Sequence, residues 1–129
     1  MNVAIVARNK DQLVATAKEL SAETGGRVIA LAADVASKEQ VESMVAEAVA
    51  QFGGLHILVN SGASPGGSAG ATGPVETVID EVLLSDFNIK YMGALRCARA
   101  AIQHMKQAGW GRIISIGGNN ARSSGNLSG

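Results

Sequence analysis

The chain has a single cysteine, Cys97, which excludes an internal disulfide framework and suits a reducing, cytoplasmic compartment. Aromatic residues are scarce, with one Trp, one Tyr and two Phe, so an aliphatic core like that of a parallel-sheet α/β protein is expected. There is no excess charge of either sign. Eleven Lys and Arg balance eleven Asp and Glu, which leaves no electrostatic footprint for nucleic acid or an anionic membrane. Although 47% of the residues are hydrophobic, no apolar run approaches the roughly 18 residues of a membrane span. The first apolar run begins almost at Met1, so no signal peptide is expected. At 129 residues the chain is one domain at most. No repeat at solenoid spacing and no interdomain linker interrupts it.

What is present is glycine, sixteen of them, and an alternation of short apolar runs with helical periodicities. Val3–Ala7 and residues 28–33, 56–59 and 112–116 read as buried strands. Asn9 with Gln12, and Ser37 with Gln40, form capping boxes. The first opens a helix with Leu13, Ala17 and Leu20 on one face, ended by Gly25 and Gly26. The second opens a helix with Val41, Val45, Ala48 and Phe52 on one face, stopped by Gly53 and Gly54. Residues 61–73 are too rich in Gly and Ser for a regular element. A long helix is expected over 81–107, with Leu84, Phe87, Asn88, Tyr91, Leu95, Ala98, Ile102 and Met105 along one face. Strands alternating with helices predict an α/β fold, a parallel four-stranded sheet wound by right-handed crossovers.

Two stretches are the most specific. Residues 106–118, KQAGWGRIISIGG, read as a helix end, a glycine turn and a short strand that opens into a glycine pair. Residues 55–63, LHILVNSGA, read as an apolar strand that ends in Asn60 and runs into Ser61, Gly62 and Ala63. In that order and spacing they resemble the short-chain dehydrogenase/reductase family. The resemblance runs over nearly the whole chain but covers only the middle of that family's domain. It implies a partial dinucleotide-binding domain over residues 1–129, Rossmann-like but lacking the first βα unit and the C-terminal part. It also implies an NADP(H)-dependent oxidoreductase that reduces carbonyls or oxidises alcohols.

Several residues follow from this resemblance. Arg8 stands at the carboxyl end of the first strand, where dinucleotide folds read the adenosine ribose. An acidic residue there accepts from a ribose 2′-hydroxyl, whereas Arg8 favours a 2′-phosphate and hence NADP(H); the plain alternative is a solvated surface arginine. Asp34 follows the second strand, where the family's Asp hydrogen-bonds the adenine and the next residue, here Val35, packs by its backbone. Asp34 also serves, on the plainer reading, to end the strand before the Ser37 cap. Asn60, Ser61 and Gly62 stand where the family has Asn-Asn-Ala-Gly; Asn60 matches, and the small residues match in size but not in order. Asn88, within Asp86-Phe87-Asn88-Ile89, matches the helix motif whose Asn holds a relay water, and is otherwise a satisfied interfacial amide.

Other parts of the family's pattern have no counterpart. Its glycine-rich phosphate loop belongs to a strand–turn–helix ahead of Val3, which predicts weak cofactor binding. Its serine falls at Gly118, and its Tyr-x-x-x-Lys pair falls just beyond Gly129; Lys90 and Tyr91 lack that spacing. These 129 residues are therefore expected to show no appreciable dehydrogenase turnover on their own. A catalytically dead interaction domain is one alternative. A small serine hydrolase is another, since Gly62 to Gly66 and Gly66 to Gly70 both fit G-x-S-x-G, offering Ser64 or Ser68. Pro65 has no N–H for an oxyanion hole after Ser64, and Ser68 lacks the flanking strand and helix. His56 and His104 have no metal-ligand spacing, so no metal is expected. Cys97, between Arg96 and Arg99, is either a lowered-pKa thiol or a small core residue.

An assembly expectation follows as well. The resembled sheet is ordered 3-2-1-4-5-6, so a chain without the first strand lacks the central one. Either the strands at Val3 and His56 close up into a 2-1-3-4 order, or another subunit supplies the missing edge. Apolar helix faces left uncovered favour a homodimer.

Overall fold

Asn9 and Ser37 start the first two helices as their side chains predict. Asn9 Oδ1 accepts from the Gln12 N–H at 3.2 Å, and Ser37 Oγ accepts from the Gln40 N–H at 3.3 Å. Gly25 and Gly53 end those helices in the left-handed region, with φ of 66° and 78°, which glycine enters without steric cost. The computed structural model describes residues 1–62 and 68–117. In chain order the elements are β1 (Val3–Ala7), α1 (Lys10–Thr24), β2 (Val28–Ala32), α2 (Lys38–Phe52), β3 (Ile57–Asn60), α3 (Asp80–Phe87), a π-helical turn (Asn88–Met92), α4 (Gly93–Gln107) and β4 (Arg112–Ser115). A short 3-10 turn, Val75–Thr77, precedes α3.

The strands do not form the single four-stranded sheet that the alternation predicts. β1 pairs with β2 in parallel, from Val3↔Val28 to Ala7↔Ala32, and β3 pairs with β4 in parallel, from Ile57↔Arg112 to Asn60↔Ser115. These are two separate two-stranded sheets, so the expected 2-1-3-4 closure is not made among the described residues. Helices make the join instead: α2 and α4 pack side by side, one against each strand pair, and the apolar cluster that they share fills the space where a ladder from β1 to β3 would run.

Side chains, rather than backbone bonds, join the two pairs. Leu31 and Ala33 bury with Val41, Met44, Val45 and Ala48 of α2 and with Cys97 of α4. Ala4 of β1 and Leu58 of β3 pack against that same cluster. Val41 is fully buried.

The long helix runs through α3, the π turn and α4, but its buried face is not the expected one. Leu84 is 67%, Phe87 51% and Tyr91 59% exposed, whereas Asp86, Gly93, Cys97, Ala101 and Met105 are buried. Of the predicted stripe only Met105 is fully inside. Gly93 faces Val35 of the β2–α2 loop and Cys97 enters the α2 cluster, so small residues take the inner face of α4 and the large side chains fall to the flank. The wide π turn adds to the phase error, because it does not keep the 3.6-residue period.

Candidate functional site

The pairing of β1 with β2 sets the site. Ala7 lies opposite Ala32, and the Ala33 N–H continues the ladder onto the Ala7 carbonyl at 3.1 Å. The chain leaves both strands at the same level, so Arg8 and Asp34 emerge side by side. They line one cavity of about 240 Å³ with Ala32, Ala33 and Gln40.

The loop between β2 and α2 is built from its own hydrogen bonds. Asp34 Oδ1 accepts from the Ala36 N–H at 2.9 Å, and the Asp34 carbonyl accepts from the Ser37 N–H at 3.0 Å. Gln40 departs from a standard capping box. Its Oε1 accepts from the Asp34 N–H at 2.9 Å, three residues upstream of the cap, so it serves the cavity loop as well as the helix. Asp34 thus ends the strand ahead of the Ser37 cap and also lines the cavity.

Val35 and Asn88 are brought together by a residue that the sequence did not single out. Arg96 donates to the Val35 carbonyl at 3.2 Å, to the Asn88 carbonyl at 3.2 Å and to Asn88 Oδ1 at 2.8 Å. Both oxygens of Asn88 are engaged by one guanidinium, so Nδ2 is the part of the amide left to donate elsewhere. Eight residues separate Asn88 from Arg96, beyond the i, i+4 reach at which side chains pair along a helix.

Asn60, Ser61 and Gly62 stand at the carboxyl end of β3, in the other strand pair, and do not line the cavity. The Asn60 carbonyl accepts from the Ile116 N–H at 2.9 Å, and a Cβ at Gly62 would meet nothing within 4 Å. Ser64 and Gly118 lie outside the described residues.

Ser68, the candidate nucleophile, belongs to a second polar group. Asp86 is buried on α3, where its Oδ1 accepts from Ser68 Oγ at 2.8 Å and its Oδ2 pairs with Lys90 Nζ at 2.6 Å. Burial acts to raise the Asp86 pKa, but the hydrogen bonds from Lys90 and Ser68 and the Lys90 charge outweigh it and hold the carboxyl below its ordinary value. The i, i+4 acid–base spacing is the signal that would have found the pair. Ser68 spends its hydroxyl on a carboxylate rather than on a histidine, which is not the arrangement of a hydrolase nucleophile and its base. Cys97 is buried, and desolvation raises its thiol above the ordinary value despite the opposing charge of Arg96. It is a core residue, not an activated thiol. Among the described residues no three His, Cys, Asp or Glu gather as a metal site, and no helix is long and apolar enough to cross a membrane.

Against known proteins, the short chain dehydrogenase family profile matches residues 1–128. The chain belongs to the short-chain dehydrogenase/reductase family. A diacetyl reductase, (S)-acetoin forming, from Staphylococcus epidermidis is 33% identical over 115 residues, covering 88% of this chain and 42% of that protein. The L-sorbose reductase of Gluconobacter frateurii, solved with NADPH and L-sorbose, is 32% identical with a TM-score of 0.77, covering 88% of this chain and 41% of that one. An NAD+-bound xylitol dehydrogenase superposes with a TM-score of 0.84 at 22% identity, covering 96% of this chain and 46% of that one. The last likeness speaks for the Rossmann-like α/β fold alone. The chain spans less than half the length of the short-chain dehydrogenase relatives it matches.

Proposed function

We propose that this chain forms the adenosine-binding portion of a cytoplasmic, NADP(H)-dependent short-chain oxidoreductase acting on a small carbonyl or alcohol. The observation that carries the reading is the convergence of Arg8 and Asp34 on one cavity at the carboxyl ends of β1 and β2. That is where a dinucleotide fold holds the adenosine half of its cofactor. The donor set fits. Arg8 offers a guanidinium to a 2′-phosphate, a charge-assisted contact worth about 1.5–3 kcal/mol, and the Asp34 carboxylate offers an acceptor to an adenine amine.

When bound, the dinucleotide supplies the hydride chemistry. This chain's residues bind and orient it. Val35 holds the loop by its backbone, and Asn60, Ser61 and Gly62 flank the end of β3, where small side chains let a ligand approach. Asn88 is the family's relay position, held here by Arg96. A dinucleotide's pyrophosphate is held by a glycine-rich turn at a helix N-terminus, and hydride transfer needs acid–base groups; residues 1–129 supply the adenosine side of that arrangement.

A second copy of the chain is the proposed partner. Leu84, Phe87, Tyr91 and Ile102 lie exposed along α3, the π turn and α4, an apolar stripe suited to covering by its own counterpart in a homodimer. Tyr91→Glu should shift a dimer to monomer in sedimentation; a monomeric unmutated chain would refute the assembly.

The cofactor reading is tested by titrating NADPH and NADH against the chain and following cofactor fluorescence. NADPH should bind more tightly, and Arg8→Asp should reverse the preference. Equal affinities for the two in the unmutated chain would sink the NADP(H) assignment.

A further inference from the structure

We infer that Arg96 is a positioning residue for nucleotide binding, a clamp on α4 that holds the Asp34–Val35–Ala36 loop in the shape that the adenosine cavity requires. This rests on the dinucleotide reading above. The loop is gripped from two sides. From α2, Gln40 takes the Asp34 N–H at 2.9 Å. From α4, Arg96 reaches across 61 residues of sequence to the Val35 carbonyl at 3.2 Å. Its remaining bonds anchor the guanidinium to the carbonyl and side chain of Asn88 in the π turn. All three contacts are to uncharged oxygens, so the guanidinium acts as a planar set of donors rather than as half of an ion pair.

Glycine makes this approach possible. A Cβ at Gly93 would lie 2.8 Å from Val35 Cγ2, closer than real contacts allow, so the first turn of α4 meets the loop only because no side chain is there. Val35 follows Asp34 directly, and Asp34 lines the cavity. The Ala36 N–H that holds the Asp34 carboxylate belongs to the same peptide as the Val35 carbonyl, so releasing that carbonyl loosens the carboxylate's own hold. The clamp thus ties the base side of the cavity to the turn that carries Asn88. It does not touch Arg8, which serves the phosphate side.

That separation supplies a test. Adenosine 2′,5′-bisphosphate and adenosine 5′-monophosphate are titrated against the unmutated chain, Arg96→Met, Arg96→Lys and Arg8→Asp, with amide exchange at Ala36 and Ser37 followed in parallel. Arg96→Met should weaken both ligands by a similar factor, about tenfold, through lost preorganisation, and should speed exchange at Ala36 and Ser37. Arg96→Lys, which still donates to a carbonyl, should recover part of both effects. Arg8→Asp should weaken the bisphosphate alone and leave exchange unchanged. A merely structural role for Arg96 would lower the melting temperature without moving the affinity of the remaining folded protein. Unchanged affinity in a folded Arg96→Met variant, or unchanged exchange, overturns the clamp while leaving the dinucleotide reading standing. Failure of the unmutated chain to bind either nucleotide refutes the dinucleotide reading itself, and the clamp's role in binding with it.

Discussion

The two strand pairs are built from the same parts yet stand differently toward solvent. The first pair, β1 and β2 with α1 and α2, has side-chain caps at both helix starts, left-handed glycines at both ends and an inner wall of Leu31, Val41 and Val45. The second pair, β3 and β4 with α3 and α4, leaves Ile57, Val59, Ile113, Ile114 and Ile116 exposed. It also starts α3 at Ile79 without a side-chain cap. Its internal order comes from polar contacts instead: Ser68 and Lys90 on Asp86, and Arg96 on Asn88. The first pair is held by apolar packing and local capping. The second is held by a small polar network and by α4 leaning on α2.

This contrast is open to attack from both sides. The largest effect is expected at Val41, which is fully buried. Val41→Asp places an unpaired charge in the shared core, costing more than about 4 kcal/mol, and circular dichroism should show loss of the fold. Val41→Ala, with a cost of about 2 kcal/mol, gives a measurable midpoint if the aspartate variant does not fold. Next comes Asp86→Ala, expected to cost about 3 kcal/mol because it strands the Lys90 ammonium, whose side chain is 19% exposed. A loss below about 1 kcal/mol in urea denaturation would show that the polar network does not hold the second pair.

Acid gives a gentler probe of the same network. The folded-state pKa of Asp86 is lowered, so the unfolded chain binds the proton more readily. The carboxylate's contribution to stability is present above the ordinary Asp range and is lost as pH falls through the depressed folded value. Melting temperatures across that range should fall less steeply in Asp86→Asn than in the unmutated chain. An identical slope would remove Asp86 from the account. Smaller again is Ser37→Ala, which deletes the cap of α2 and should cost about 1 kcal/mol. The smallest effect is expected from Ile114→Ala on exposed β4, at or below about 0.5 kcal/mol. A loss as large as that of Val41→Ala would mean that the second pair is covered in solution, and would favour the homodimer.

Local signals suffice where local chemistry decides the outcome. Asn9 and Ser37 cap because their short polar side chains reach the N–H three residues on. Gly25 and Gly53 end helices because they alone enter positive φ cheaply. The helix after Ile79 differs. Large apolar side chains mark Leu84, Phe87 and Tyr91, which lie exposed, because hydrophobicity does not say which face another element will approach. Gly93 and Ala101 carry no such mark, and their small size is what places them inside.

The candidate site divides along the same line. Arg8 and Asp34 meet at one cavity because each stands within two residues of a strand's end, and parallel pairing of consecutive strands brings such positions together. Arg96 and Gln40 carry no sign in the sequence of their contacts with the cavity loop, and Ser68, a candidate nucleophile by its motif, gives no sign of its place with Asp86 and Lys90. Their partners lie across elements whose relative placement the sequence does not encode locally, as with the 61 residues between Arg96 and Val35.

By itself, then, the sequence determined the run of strands and helices, their caps and stops, the family and the two residues at the mouth of the cavity. Each of these depends on neighbours within a turn, a strand or one crossover. Only the tertiary structure decided that the strands stand as two pairs, that small residues take the inner face of α4, and that one guanidinium joins the Val35 loop to Asn88. Those outcomes depend on packing between elements and on side-chain reach across the fold, which act only once distant segments have been brought together.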